Sequence, residues 1–177
     1  MEDRNRRLIK RAIKGDKKAF EQLLKKHYQQ IYRTAFLYVQ NQEDALDVVQ
    51  EAAYQALISV HTIKSPEYFM TWLTKIVIRC SGQLLAKRKV IVPLTEEVLL
   101  SLKSSNGSIN DDALLLMDAL GSLKDSYRTA LILFYYNDYS IKTISELMEI
   151  PEGTVKTYLS RGKEALKISL ERGSLHG

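Results

Sequence analysis

The chain has 177 residues, of which 45% are hydrophobic and 27% charged, and its formal net charge is +5. Only 8 glycines and 3 prolines are present, too few for the many turns of an all-β fold, so an all-α fold is predicted. The single cysteine excludes a disulfide framework and a multi-cysteine zinc site, and three widely separated histidines predict no metal site.

The charges are unevenly distributed along the chain. Residues 1–90 carry seventeen Lys and Arg against nine Asp and Glu, whereas residues 91–177 carry nine against twelve. The last predicted helix is basic again, which suggests two contacts with a polyanion; a solvated basic face is the alternative. The charged first residues indicate a solvated start, and no apolar run approaches the roughly 18–20 residues of a membrane span, so we expect a cytoplasmic protein.

Three amphipathic helices are predicted in the first 90 residues, because apolar residues recur there at spacings of three and four. Asp16 is placed to cap the first helix and Asn41 the second, since both side chains accept hydrogen bonds from backbone amides of a first turn. Ser65 and Pro66 are predicted to open the third helix, because proline is tolerated at the first helical position.

The inward faces of these helices follow from the same spacing. Leu57 is expected on the core face of the second helix, and Phe69, Trp72 and Cys80 on the inner stripe of the third. A buried, inert thiol is favoured over a redox sensor for Cys80, whose role stays open.

Residues 90–112 are polar and unsuited to a long helix, and they predict a flexible linker between two small helical domains, 1–89 and 113–177. Apolar periodicity resumes in the second domain. Its last two predicted helices span 141–149 and 154–170.

These last two helices and the turn between them indicate a helix-turn-helix within 141–160. Pro151 and Gly153 supply the turn, and Gly162 on the inward face permits close packing. A plain helical hairpin with a solvated polar face is the alternative. Short hydroxyl and long cationic side chains remain outward, as contact with phosphates and base edges in a major groove requires, and they are Thr154, Lys156, Thr157, Ser160, Arg161 and Lys163.

The sequence resembles the bacterial sigma factors of RNA polymerase, in their two-domain extracytoplasmic-function (ECF) group. Ile150-Pro-Glu-Gly-Thr-Val-Lys156 is similar to sigma region 4. Asp44-Ala45 and Asp47-Val-Val-Gln-Glu51 are similar to regions 2.1 and 2.2, and Lys87-Arg-Lys to regions 2.3 and 2.4. The resemblance runs from about residue 8 to residue 167, in the order and at the spacing of the family.

The resemblance implies a non-enzymatic transcription initiation factor with no cofactor and no small-molecule substrate. The implied partners are core RNA polymerase, through its β′ clamp and β flap, promoter DNA and a membrane-anchored anti-sigma factor. For the β′ clamp the implied contacts are Asp44, Asp47, Gln50 and Glu51, which we expect to form an exposed acidic stripe on the second helix.

The resemblance also implies that region 2 holds the melted minus-ten element and that helix 154–167 reads the minus-thirty-five element. Captured single-stranded bases require aromatic platforms and a cationic groove. Trp72 is favoured as a core residue over a platform, because it lies on the apolar stripe. The minus-ten candidates are Lys64, Tyr68, Trp72, Lys75, Arg79, Lys87 and Arg88.

Some residues depart from the family's pattern. Gln83 and Ala86 stand where an acidic residue and an arginine are usual, and Glu149 stands where the turn commonly has glycine. Two other hypotheses stay open, a polymerase-independent helix-turn-helix regulator and a sigma-like subunit that needs a partner protein. An enzyme has no support, since no phosphate-binding glycine loop and no nucleophile–base pair is recognisable.

Overall fold

The computed structural model describes residues 2–91 and 111–174, which we call the first half and the second half. Both described ranges are built from helices and neither contains a strand, so the all-α prediction is confirmed. The helices are α1 (Glu2–Ile13), α2 (Lys17–Val39), α3 (Gln42–Ser59) and α4 (Phe69–Ile91) in the first half, and α5 (Asp111–Gly121), α6 (Asp125–Leu131), α7 (Ile141–Met148) and α8 (Glu152–Ser174) in the second.

Side-chain caps begin α2 and α3 where the sequence predicts them. The Asp16 carboxylate accepts a hydrogen bond from the Ala19 amide at 3.0 Å, and the Asn41 side chain accepts one from the Asp44 amide at 3.0 Å. These bonds satisfy amides that have no carbonyl partner in a first helical turn. The Ala19 amide and the Arg11 guanidinium together hold the pKa of Asp16 below its ordinary value.

The start of the chain and the start of α4 differ from the sequence prediction. Residues 2–13, for which the sequence predicted no helix, form α1, because Ile9 and Ala12 lie three residues apart on one face and are buried. Proline opens a single 3₁₀ turn, Pro66–Tyr68, and α4 begins only at Phe69.

The core face of α3 excludes one residue that the sequence assigned to it. Leu57 is 39% exposed, because the buried side of α3 includes Ala52 and Ala56. Leu57 is rotated by roughly 100° about the helix axis from Ala56, away from that side. On α4, Phe69 is buried as expected and Trp72 is half-buried, with ring centroids 6.0 Å apart.

Each half has its own apolar cluster. Leu23 and Leu73 are fully buried in the first, and Leu133, Ile144 and Val155 are fully buried in the second. Burial of each such side chain stabilises the fold by about 1.5–3 kcal/mol. Each half is therefore built around a hydrophobic core.

The two halves also touch, across what we call the interface. Ile132 of the second half joins the first cluster, while Leu37 and Ile78 of the first half pack against the second. Ile132 begins a five-residue π-helical turn, Ile132–Tyr136, that follows α6 and ends with the Asn137 amide bonded to the Ile132 carbonyl at 3.0 Å.

At Gly162, α8 packs closely against α6. A β-carbon there would lie 3.2 Å from Leu131 Cδ1 and 3.3 Å from Tyr127 Cβ, whereas one on Gly82, in α4, would meet nothing within 4 Å. We expect Gly162→Val to lower the free energy of unfolding by about 1–3 kcal/mol through overpacking. Gly82→Ala should raise it by about 0.5–1 kcal/mol.

Urea unfolding followed by helical circular dichroism measures both changes. Equal stability of Gly162→Val and the natural chain would contradict the close approach of α6 and α8.

Candidate nucleic-acid interface

α7 and α8 form a helix-turn-helix whose turn is held by backbone bonds. The Ser140 hydroxyl caps α7 by accepting a hydrogen bond from the Thr143 amide at 3.1 Å. α7 ends at Glu149, which has the left-handed φ of 56° that favours glycine. The Pro151 carbonyl then accepts from the Thr154 amide at 2.9 Å and starts α8. The turn therefore fixes the direction in which α8 leaves.

The inward and outward sides of α8 agree with the predicted pattern. Val155 and Leu159 are buried, and Gly162 is buried against α6. Of the six outward residues, Thr154 is half-buried, and the Thr157 hydroxyl donates to the Gly153 carbonyl at 3.0 Å. The remaining exposed side chains form one broad basic and hydroxyl-bearing face: Lys156, Thr157, Ser160, Arg161 and Lys163.

The seven minus-ten candidates do not all share one surface. Four of them are spaced three or four residues apart and therefore lie along one side of the start of α4: Tyr68, Trp72, Lys75 and Arg79. Tyr68 is 57% exposed, while the Trp72 ring is half-buried. Arg88 lies on a different side of α4. Lys64, in the loop before α4, and Lys87, near its end, are exposed.

Three of these cations are already bound to protein oxygens. The distances are 2.6 Å from Lys75 Nζ to Glu149 Oε1, 2.5 Å from Arg79 Nη2 to Gln55 Oε1, and 2.6 Å from Arg88 Nη2 to Asp44 Oδ1. The ammonium group of Lys75 holds the pKa of Glu149 below its ordinary value, chiefly through their hydrogen bond. The first of these pairs crosses the interface, because Glu149 lies in the helix-turn-helix.

The predicted acidic stripe on α3 lacks one of its four members. Asp47, Gln50 and Glu51 are exposed, but Asp44 is buried, with 8% of its side chain accessible. The reason is that Asp44 lies in the first turn of α3, where Arg88 of α4 closes over it. Burial raises the pKa of the Asp44 carboxyl, although Arg88 acts in the opposite direction.

The exposed part of the stripe borders a groove of about 590 Å³ between α3 and α4. Cys80 lines this groove but is only 3% exposed, and burial raises the pKa of its thiol, as the favoured interpretation of an inert residue requires. Two exposed apolar residues continue the outer face of α3, Tyr54 at 62% and Ile58 at 55%. The surface therefore combines acidic and apolar groups.

Sequence reasoning missed the polar residues that join the two halves. Arg128 is buried, and its guanidinium donates to the Tyr38 carbonyl in the last turn of α2 at 3.1 Å. The Asn137 amide donates to the Thr34 hydroxyl at 3.2 Å. These partners lie 90 and 103 residues apart in the sequence, so no local pattern could reveal them.

Two absences hold for the residues that the structure describes. Within residues 2–91 and 111–174, no cluster of His, Cys, Asp or Glu side chains is arranged to hold a metal ion. Over the same ranges, no helix combines the length and the apolar character that crossing a membrane requires.

Comparison with known proteins agrees with the resemblance in both halves. The sigma-70 region 2 family matches residues 23–90, and the sigma-70 region 4 family matches residues 113–166. The RNA polymerase sigma factor SigV of Bacillus subtilis (strain 168) is 37% identical over 149 residues, which cover 84% of this chain and 89% of SigV. The ECF RNA polymerase sigma factor SigW of the same organism is 29% identical over 184 residues, 96% of this chain and 98% of SigW.

Two solved structures share the fold. CnrH in complex with the cytosolic domain of CnrY has a TM-score of 0.72 at 20% identity, covering 95% of this chain and 97% of CnrH. RpoE in complex with the anti-sigma factor NepR, from Bartonella quintana, has a TM-score of 0.69 at 20% identity, covering 87% and 98%. With both regions matched in order and a relative above one third identity, the chain belongs to the sigma-70 family of non-enzymatic transcription factors, and it is an ECF sigma factor that binds core RNA polymerase and directs it to promoters.

Proposed function

We propose that the two parts of the chain bind different elements of the promoter. Residues 1–89 bind core polymerase and capture the melted minus-ten element, residues 113–177 read the minus-thirty-five element, and residues 90–112 connect them. The protein is itself no enzyme, because RNA synthesis belongs to the polymerase, and it acts in the cytoplasm, where that polymerase works. The outward face of α8 carries this proposal, since the side chains exposed between Lys156 and Lys163 are all hydroxyls or cations.

α8 is suited in size and chemistry to a major groove. A helix with side chains is about 10–12 Å wide, close to the roughly 12 Å width of the groove. Lys156 and Arg161 are exposed on its first turns, where a recognition helix contacts bases and phosphates. Arginine and lysine bind guanine O6 and N7, and the Ser160 hydroxyl suits either a base edge or a phosphate.

The start of α4 supports the capture of single-stranded DNA. Tyr68 offers an exposed ring for a base to stack on, and Lys75 and Arg79 follow it along the helix as phosphate contacts. Lys64 and Lys87 extend this positive surface. Trp72 contributes the exposed part of its half-buried ring in this proposal, while the ring packs against Phe69.

The outer face of α3 supports the contact with the β′ clamp. Asp47, Gln50 and Glu51 offer acceptors to a basic partner, and Tyr54 and Ile58 offer apolar area beside them. Asp44 acts indirectly in this proposal. It holds Arg88 against the first turn of α3 and so positions the helix.

Two further partners are proposed. An apolar groove of about 660 Å³ between α5, α6 and α8, bordered by Leu116, Tyr135 and Leu170, supports a contact with the β flap of the polymerase. A membrane-anchored anti-sigma factor is proposed because two proteins that share the fold were solved as complexes, CnrH with the cytosolic domain of CnrY and RpoE with the anti-sigma factor NepR.

Run-off transcription with purified core polymerase and genomic promoter fragments tests the function as a whole. We expect discrete transcripts that depend on this protein. Silence with co-elution on core polymerase would instead indicate a missing partner subunit, and silence without co-elution would indicate a polymerase-independent regulator.

Replacement of a cationic residue of α8 should weaken promoter binding and leave the binding of core polymerase unchanged. We expect Lys156→Ala and Arg161→Ala each to cost about 1–3 kcal/mol of promoter affinity, because each removes a base or phosphate contact. Lys18→Ala, an exposed lysine on α2, is the charge-matched control. Electrophoretic mobility shifts of the holoenzyme measure promoter affinity, and co-elution measures the affinity for core polymerase, which should not change. Normal transcription by both variants at limiting DNA would contradict the assignment.

Reversal of charge on α3 should abolish polymerase binding. We expect Asp47→Lys with Glu51→Lys to weaken co-elution with core polymerase more than tenfold, because like charges then face each other across the contact. The matched control reverses Glu21 and Glu67, two exposed acids on other elements of the first half. Circular dichroism checks that each double variant stays folded. Unchanged co-elution of the α3 variant would refute this contact.

A further inference from the structure

The first helix carries a row of cations that the proposed function does not use. Arg6 and Lys10 of α1, and Lys14 directly after it, are exposed. They follow one another at spacings of four, so they lie along one side of the helix over about 12 Å. α1 precedes residue 23, where the match to the sigma-70 region 2 family begins. That match therefore assigns no role to these cations.

This row lies beside the turn that leads into the proposed minus-ten surface. α1 contacts both 3₁₀ turns before α4, Val60–Thr62 and Pro66–Tyr68. A groove of about 620 Å³ lies between α1 and the second turn, with Arg6 on one border and Glu67 on the other. The next residue after Glu67 is Tyr68, whose exposed ring is the proposed platform for a base. The cations of α1 and the ring therefore share one region of the surface.

The pKa of Glu67 reflects the positive potential that α1 creates at this turn. Hydrogen bonds from the Ser65 hydroxyl and from its own amide hold the pKa of Glu67 below its ordinary value, and the charges of Arg6 and Lys10 act in the same direction. An exposed carboxylate responds in this way only to cations nearby. A phosphate group at the groove would be attracted by the same two side chains.

The cations of this row are available to a ligand, unlike those of α4. Among the side chains that the structure describes, no carboxylate forms an ion pair with Arg6, Lys10 or Lys14, whereas Arg11 is paired with Asp16 at 2.6 Å. The three cations of α4 discussed above are likewise bound to protein oxygens. Phosphate binding by the row on α1 would break no ion pair among these side chains.

The apolar face of α1 is covered by the protein itself. Ile9 and Ala12 are 5% and 1% exposed in the first core, and Lys26 Nζ of α2 donates to Asn5 Oδ1 at 2.9 Å. A basic helix that binds a membrane surface places its apolar face among the lipids. Because this face is buried, the exposed cations favour a nucleic acid as their partner over a membrane.

We propose that Arg6, Lys10 and Lys14 bind the phosphodiester backbone of the melted minus-ten strand, next to the base that stacks on Tyr68. The inference rests on the proposed role of the start of α4 in capturing that strand. Single-stranded DNA is bound by cations that follow its backbone together with aromatic rings that hold its bases. Phosphates carry no sequence information, so α1 adds affinity and leaves the choice of promoter unchanged.

Binding of fork DNA by the holoenzyme tests this contact. The DNA is a promoter fragment that the holoenzyme transcribes, with its minus-ten strand left single-stranded. We expect the triple variant Arg6→Gln, Lys10→Gln and Lys14→Gln to bind about tenfold more weakly at about 50 mM salt. The slope of log affinity against log salt should fall by about 2, because each phosphate contact of a single strand contributes about 0.7.

A control variant loses the same charge from the outward side of α2, through Lys18→Gln, Lys25→Gln and Arg33→Gln, three exposed positions. It should keep the natural affinity and the natural salt slope. Equal losses in the two triple variants, or an unchanged slope in the α1 variant, would overturn the proposal. Co-elution with core polymerase should stay unchanged in both; weaker co-elution of the α1 variant alone would assign its cations to the polymerase and would also overturn the proposal.

Photo-cross-linking tests the contact directly. We expect Lys10→p-benzoylphenylalanine, in the holoenzyme, to cross-link to the single-stranded minus-ten strand, and Lys25→p-benzoylphenylalanine to give no such product. Absence of the product at position 10 would contradict the proposal. Sedimentation of the full chain with phosphatidylglycerol vesicles examines the other polyanion. Vesicle binding that needs the three cations, with unchanged affinity for fork DNA, would overturn the assignment to DNA.

Tyr68→Ala on the same fork DNA separates this proposal from the function on which it rests. A loss of affinity with Tyr68→Ala and none with the α1 triple variant would refute the α1 contact and leave the minus-ten surface standing. No loss with Tyr68→Ala would refute the proposed base platform, whatever the α1 variant shows.

Discussion

The arrangement of the two halves depends on one buried cation, Arg128. Its guanidinium donates to the Tyr38 carbonyl of α2, to the Leu123 carbonyl at 3.3 Å and to the Asp125 carboxylate at 2.9 Å. A buried charge without such partners costs several kcal/mol, so the cation must keep its oxygen ligands. It also lies where the dipole of α2 is negative. Because α6 is fixed in this way against the end of α2, the helix-turn-helix that follows is brought to the side of α4.

Cations at three positions along α4 are paired with side-chain oxygens of other elements of the protein. Lys75, Arg79 and Arg88 each meet an acceptor on another element, from α3 or from the helix-turn-helix. The partners differ in what they do. The Arg88 pair is half-buried and joins α3 to α4, whereas the Lys75 pair is open to water and joins the two halves. One helix thus carries both a structural cation that joins two helices and a solvent-accessible cation that joins the two halves.

Local patterns in the sequence predict the helices, the caps at Asp16 and Asn41, and the buried side of α8, because each depends on residues within a few positions of one another. They fail where burial depends on distant segments. Asp44 was expected on an open stripe, yet Arg88, 44 residues away, covers it. The sequence patterns did not predict α1, because its apolar face is short and is surrounded by many charged residues. The pairing of Lys75 with Glu149 has no local signal either, since 74 residues separate them.

The π-helical turn Ile132–Tyr136 has an evolutionary consequence. A π turn accommodates one more residue than an α-helical turn of the same shape, and it is followed directly by Asn137 and by the segment that leads into α7. Loss of a single residue there would return the segment to α-helical geometry and rotate everything after it by about 100° relative to α6. Insertions and deletions at this turn can therefore diversify how relatives orient their helix-turn-helix, while the outward residues of α8 remain the same.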